Sequence, residues 1–195
     1  LKQQTETRLP GRGRRVIIGH SMGGLDARYM IRHLGMAERV SALGTVATPH
    51  RGSSFADWSL KHLGMRMGAM KVIDALGWDM GAVRDLCCAR FREFNEHVPD
   101  VPGVRYFSVS AAREWTGIPL FLLPSWRAIQ QTEGPHDGLV SVRSAIWGEH
   151  LGTWPMDHLH LINKRFVPER RAPGGDVVER YVQTLTLLRE RGMLA

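Results

Sequence analysis

Cysteine is nearly absent from the 195-residue chain, and the two that occur, Cys87 and Cys88, are neighbours. A bridge between neighbours is strained, and no ligand partner stands at zinc-site spacing, so neither a disulfide framework nor a zinc centre is expected. The pair instead continues an apolar stripe with Val83, Leu86, Phe91 and Phe94, which predicts helix packing. Long hydrophobic runs are also missing. The longest apolar stretch, IPLFLLP, falls well short of the ~18 residues that a membrane-spanning helix needs, so no transmembrane segment is expected. An initiator methionine and a signal-peptide layout are lacking as well, because the chain opens at Leu1 on the polar segment LKQQTETRLPGRGRR. The expectation is a piece of a longer protein or a processed one, which leaves secreted and cytoplasmic locations both open.

Acidic residues are outnumbered, 19 against 26 basic, for a net charge of +7. A nucleic-acid surface would cluster its basic residues and interleave them with aromatics. Here RGRR at 12–15 and ERR at 169–171 are short and the remainder is scattered, so no nucleic-acid partner is expected. A solvated basic surface is the plain reading, with weak attraction to anionic lipid surfaces as a further one.

With 43% hydrophobic residues and no repeats, the chain reads as one continuous domain over 1–195. RVIIG reads as a short buried strand. Met22, Leu25, Tyr29, Met30 and Leu34 fall at spacings of three and four and predict a helix that stops at Gly35. RVSALGTVATP and GVRYFSVS read as further strands, 82–96 as a helix ending before Pro99, and residues 1–9 as the tail of a helix. In DVVERYVQTLTLLRERG a closing helix is predicted, with Val177, Val178, Tyr181, Val182, Leu185 and Leu188 on one face. Short apolar strands alternating with amphipathic helices imply an α/β architecture, a mostly parallel sheet covered on both sides.

GHSMG, at 19–23, matches G-x-S-x-G between a strand and a helix, which is the context that this motif requires. A turn that reverses tightly from strand to helix strains the serine backbone and lifts its hydroxyl above the sheet edge. Glycines at 19 and 23 are expected to remove side chains that would collide there. The first free helix N–H, that of Met22, points to where an oxyanion would form. A serine hydroxyl becomes a nucleophile only when a base takes its proton and an acid orients that base. In this motif's usual chain order the acid and then the base follow the serine. Asp137, in the turn EGPHDGLVS, suits the acid. His158 and His160, in WPMDHLHLIN, both suit the base, whereas His33, His50 and His62 come too early and His20 is expected to pack locally.

Five blocks, GHSMGGLDARY, GTVATPHRGSSFADW, FNEHVPDVPGVRYFSVSA, HDGLVSVRSAIWG and MDHLHLIN, together resemble the triacylglycerol lipases of the α/β-hydrolase superfamily, especially the bacterial true lipases. The likeness spans most of residues 15–163 in the same order. It implies Ser21 as nucleophile, Asp137 as acid, His158 as base, the Met22 N–H as one oxyanion donor, and no cofactor. It also implies that 53–80, rich in Met and Trp, is a lid or cap segment, with plain core helices as the rival reading. The sequence departs from the pattern twice. His160 stands where the bacterial lipases carry an aspartate that helps hold calcium, so no metal site is expected. The family's first strands, and the loop that supplies the second oxyanion N–H, lie upstream of the nucleophile's strand, where this chain has only a short segment. The expected activity is cleavage of acylglycerols through an acyl-enzyme on Ser21, a lipid or ester being the substrate. The alternatives are a short-chain esterase or acyltransferase with the same triad, or a non-catalytic lipid-binding remnant. Oligomeric state is left open.

Overall fold

The computed structural model describes residues 14–54, 56–57, 88–168 and 174–192. The readings made for 1–9, for the start of the 82–96 helix and for nearly all of the 53–80 lid segment lie outside them. Among the described residues, four strands form one parallel sheet, in spatial order β1 (Arg15–His20), β2 (Val40–Val46), β3 (Arg105–Ala111) and β4 (Glu149–Trp154). The helices are α1 (Met22–His33), α2 (Cys88–His97), α3 (Leu123–Glu133), the single turn α4 (Val142–Ala145) and α5 (Val177–Glu190).

Strand β2 is central and almost wholly buried, as expected of a strand covered on both faces. Its alternation assigns the faces. Leu43 packs with Ala27, Met30 and Ile31 of α1, while Ala42 and Val46 join Phe107 and Val109 of β3 against α5. Gly44 is required for close packing, because a Cβ there would enter the ring of Phe107. The sheet therefore carries α1 on one side and α5 on the other.

The strands and helices read from the sequence fall where they were expected to within a few residues, and α1 ends at His33 ahead of Gly35 at φ 71°. Three elements were not foreseen, α3, the single turn α4 and β4. The closing helix also differs from its expected packing. Val177 and Leu188 are buried and Tyr181 packs edge-on to Trp154 at 5.1 Å, but Val178, Val182 and Leu185 face solvent. The six apolar positions span a wide arc of the helix surface, and the sheet covers only the half centred on Val177 and Leu188.

Candidate active site

Three chain segments meet at the carboxyl ends of the parallel strands, the usual location of sites in open α/β sheets. The first is the turn from β1 into α1. Ser21 has φ 52° and ψ −129°, a conformation that side-chain-bearing residues rarely adopt. The surroundings hold it there. Its N–H donates to the Val46 carbonyl at 3.0 Å, and its carbonyl accepts from Thr48 Oγ1 at 2.8 Å. A Cβ on Gly19 would lie 2.7 Å from the backbone of Gly24, and a Cβ on Gly24 would enter the Thr48 side chain. Around Gly23 there is open space. The close approach of strand to helix thus falls on Gly19 and Gly24, not on Gly19 and Gly23 as the motif suggested.

The second segment carries Asp137 and follows α3. Its carboxylate Oδ1 accepts the N–H groups of Leu139 and Val140 at 2.9 and 2.8 Å, which folds the loop around the acid. Ser53 and Ser125 donate to the Leu139 and Gly138 carbonyls at 2.5 and 2.9 Å, pinning the loop to the segment after β2 and to α3. Gly138, at φ 103°, supplies the turn that this requires.

The third segment follows β4. Asp157 accepts the N–H groups of Leu159 and His160 through Oδ1 and starts a short turn, and the His158 N–H donates to the Asp137 carbonyl at 2.9 Å. Burial raises the Asp157 carboxyl above its usual range, and those two N–H donors oppose the rise.

Together the segments bring Ser21, His158 and Asp137 into one line. His158 Nε2 is 3.0 Å from Ser21 Oγ, and His158 Nδ1 is 2.7 Å from Asp137 Oδ2. Asp137 and His158 are fully buried and Ser21 nearly so. Because Oδ2 is an acceptor, Nδ1 carries the proton, and neutral His158 presents the Nε2 lone pair to the serine. Met22 opens α1, and the first N–H of a helix has no acceptor within it. His160 is buried beside Gly174, and the contact to Ser21 is made by His158.

His20 does more than the sequence indicated. Its ring lies 4.6 Å from that of His158, tilted by 46°, and Nε2 is buried without a partner. Burial, and then the neighbouring His158, push its pKa down to about 3, so it stays neutral and adds no charge beside the base.

A second polar cluster, absent from the sequence reading, lies beneath the site. Arg28 of α1 is buried, donates to Asn95 Oδ1 and the Val98 carbonyl at 2.8 Å each, and stacks on Trp147 at 3.7 Å. It also reaches His50 Nδ1 at 3.2 Å, while His50 Nε2 contacts Thr45 Oγ1 at 3.1 Å. Burial and the Arg28 and Arg51 cations hold His50 well below its ordinary pKa, so Nδ1 accepts from Arg28 and Nε2 donates to Thr45. The residues lie far apart in sequence, and no local pattern pointed to them. Among the described residues, no group of three His, Cys, Asp or Glu side chains stands close enough to hold a metal ion, and no helix is long and apolar enough to cross a membrane.

A parallel sheet flanked by helices, with a strained serine at its first strand-to-helix turn, is the α/β-hydrolase fold. Known proteins agree. A family model for the PGAP1-like α/β domain matches residues 3–76. The chain is similar to triacylglycerol lipase 2 of Saccharomyces cerevisiae, with 36% identity over 156 residues, covering 75% of this chain and 45% of that protein. It is also similar to a triacylglycerol lipase of Burkholderia plantarii, with 48% identity over 42 residues, 22% of this chain and 11% of that one. Among solved structures, a Bacillus licheniformis lipase in mature form superimposes with a TM-score of 0.66 at 22% identity, covering 80% of this chain and 62% of that chain. The Staphylococcus hyicus lipase does so with a TM-score of 0.65 at 15% identity, covering 93% and 71%. The chain spans less than half the length of the curated relatives it matches.

Proposed function

We propose that the chain hydrolyses carboxylic esters, acylglycerols being the substrate class, through an acyl-enzyme on Ser21. The reading rests above all on the relay from Ser21 Oγ through both nitrogens of His158 to Asp137, closed at 3.0 and 2.7 Å and buried throughout. His158 Nε2 takes the hydroxyl proton as Oγ bonds to the ester carbonyl carbon. The carbonyl π-electrons move to oxygen, where the Met22 N–H donates to the oxyanion. Asp137 keeps the imidazolium oriented and offsets its charge. The tetrahedral intermediate collapses, the alcohol leaves with the proton from Nε2, and the acyl group remains on Oγ. Water, deprotonated by the same nitrogen, attacks the acyl-enzyme, and the acid leaves as Ser21 regains its proton.

The acylglycerol part rests on the similarity to the yeast protein named triacylglycerol lipase 2. Hydrolysis of p-nitrophenyl butyrate and palmitate, with a Ser21→Ala control of unchanged circular dichroism, tests both parts. Cleavage of both esters is expected, with a loss of about 10⁶-fold in kcat for Ser21→Ala. Butyrate cleavage without palmitate cleavage shifts the reading to a short-chain esterase, and turnover that survives in Ser21→Ala removes Ser21 from the mechanism.

A further inference from the structure

We propose that the apolar shelf formed by Trp115, Leu120 and Phe166 seats on an anionic lipid bilayer surface. The shelf is built from the turns Trp115–Gly117 and Leu120–Leu122, joined by Phe166 from the segment after His158. Trp115 is 58% exposed, Leu120 82% and Phe166 53%. Phe121 meets Phe166 edge to face at 5.3 Å. A groove of about 420 Å³ runs between them, walled by Ile118, Leu123 and Pro168 among others.

Single exposed apolar residues are ordinary, but a contiguous set on two chain segments marks a surface that meets something apolar. Three observations select a bilayer. The exposed set is Trp, Phe and Leu, the residues that bury an apolar body at a membrane boundary. Arg127 borders Trp115 in the adjoining cleft, and Lys164 and Arg165 directly precede Phe166. All three cations are exposed, Arg165 also donating to the Gly175 carbonyl, and among the described residues of the rim Glu114 is the exposed carboxylate, so this rim is complementary to anionic headgroups. The third observation is rigidity and position. Beneath the shelf, Ile118 and Leu122 are locked into one buried cluster with Leu139 and Leu159. Leu139 is two residues beyond Asp137 and Leu159 is next to His158, so a bilayer at the shelf lies at the same end of the sheet as the triad. The purpose of the contact rests on the hydrolase reading, but the contact itself does not depend on it.

The exposed stripe Val178, Val182 and Leu185 on α5 serves as an internal control, because it has no aromatic ring and lies on a helix whose buried side packs into other clusters. Co-sedimentation with vesicles of phosphatidylcholine alone, or mixed with phosphatidylglycerol, is measured for the wild type, for Trp115→Ser/Leu120→Ser/Phe166→Ser and for Val178→Ser/Val182→Ser. Circular dichroism and fluorophosphonate labelling of Ser21 accompany each. The wild type is expected to prefer the anionic vesicles, with binding that weakens as salt rises. The shelf variant should lose binding about tenfold or more and the α5 variant less than about twofold, both still folded. Should the triple variant misfold, Leu120→Glu and Arg127→Glu/Lys164→Glu replace it, each expected to release the vesicle. The proposal is overturned if the wild type stays in solution with anionic vesicles, if it self-associates through the shelf instead, or if the shelf and α5 variants behave alike. Vesicle binding without cleavage of any ester refutes the hydrolase reading and leaves the shelf standing; ester cleavage without vesicle binding does the reverse.

Discussion

The turn that carries Ser21 and the shelf that carries Leu120 lie at one end of the same sheet, yet they are built on opposite terms. At the turn, the backbone of Ser21 is fixed by the Val46 carbonyl and Thr48 Oγ1, and at Gly19 and Gly24 the packing leaves no room for a methyl group. At the shelf, large apolar side chains rest on a packed floor and spend most of their surface on solvent. Strain in the first region persists because its neighbours over-determine it. Exposure in the second is tolerated because its floor, centred on Leu122 and Leu159, is complete without it. One region fixes a single backbone conformation and the other offers area, a division suited to chemistry beside an interface.

After the loss of Ser21 itself, the largest effect is expected where the turn meets its acid. Asp137→Asn keeps the shape but replaces Oδ2 by an amide or reverses the tautomer of His158, and kcat should fall by about 10⁴ with the fold retained. Steady-state kinetics on p-nitrophenyl butyrate measure this. A loss below tenfold would mean that Asp137 only shapes its loop through Leu139 and Val140. The shelf should be indifferent, so vesicle binding by Asp137→Asn is expected to match the wild type.

Acid separates the two regions next. His20, His50 and His136 lie around the triad and its acid, and burial lowers the pKa of each below its ordinary 6.5. Below pH 6.5 the unfolded chain binds protons that the folded chain refuses, so stability is lost as pH falls from about 6.5 toward the lowered values, by at most about 1.4 kcal/mol per pH unit for each histidine. Asp157 and Asp26 act in the opposite sense, since burial raises both carboxyls and gives the folded chain the extra protons in the window just above 3.8. The three histidines outweigh these two carboxyls, whose window lies lower, and urea midpoints at pH 7.5, 6.0 and 5.0 should decline steadily. A flat profile would show that these histidines are solvated in the folded protein.

The contrast also explains what the sequence made legible. A turn announces itself in local signals, glycines flanking one serine between an apolar run and a 3.6-residue period, so β1, α1 and Ser21 were readable from adjacent residues. Asp137 and His158 were readable as candidates by residue type and order, but the choice of His158 over His160 came from family likeness, and the separation of each from Ser21 is a property of the assembled sheet. Strand β4 escaped notice because EHLGTW is an edge strand with charge, a glycine at φ 138° and a register shift opposite Val109, which leaves no alternation to read. The α5 face was overdrawn because periodicity reports which residues share a helix surface, while the width of the sheet decides how much of it is covered. The Arg28, His50, Asn95 and Trp147 cluster joins four distant segments, and no local pattern encodes it.

The smallest effect is expected at one of two adjacent glycines, and the pair tests the turn most finely. Gly24→Ala drives a methyl group into Thr48, whose Oγ1 holds the Ser21 carbonyl, and should cost about 3 kcal/mol along with most ester cleavage. Gly23→Ala meets nothing within 4 Å and sits in the first turn of α1, where alanine is the better helix former, so its stability should stay level or rise by up to about 1 kcal/mol. Urea unfolding of the two variants side by side separates packing from motif. If Gly23→Ala is the more damaging, the second motif glycine is needed for the backbone path itself; if Gly24→Ala is, the motif glycine at 23 has no steric role in this fold, and the turn is set by the contact between β1 and the start of α1.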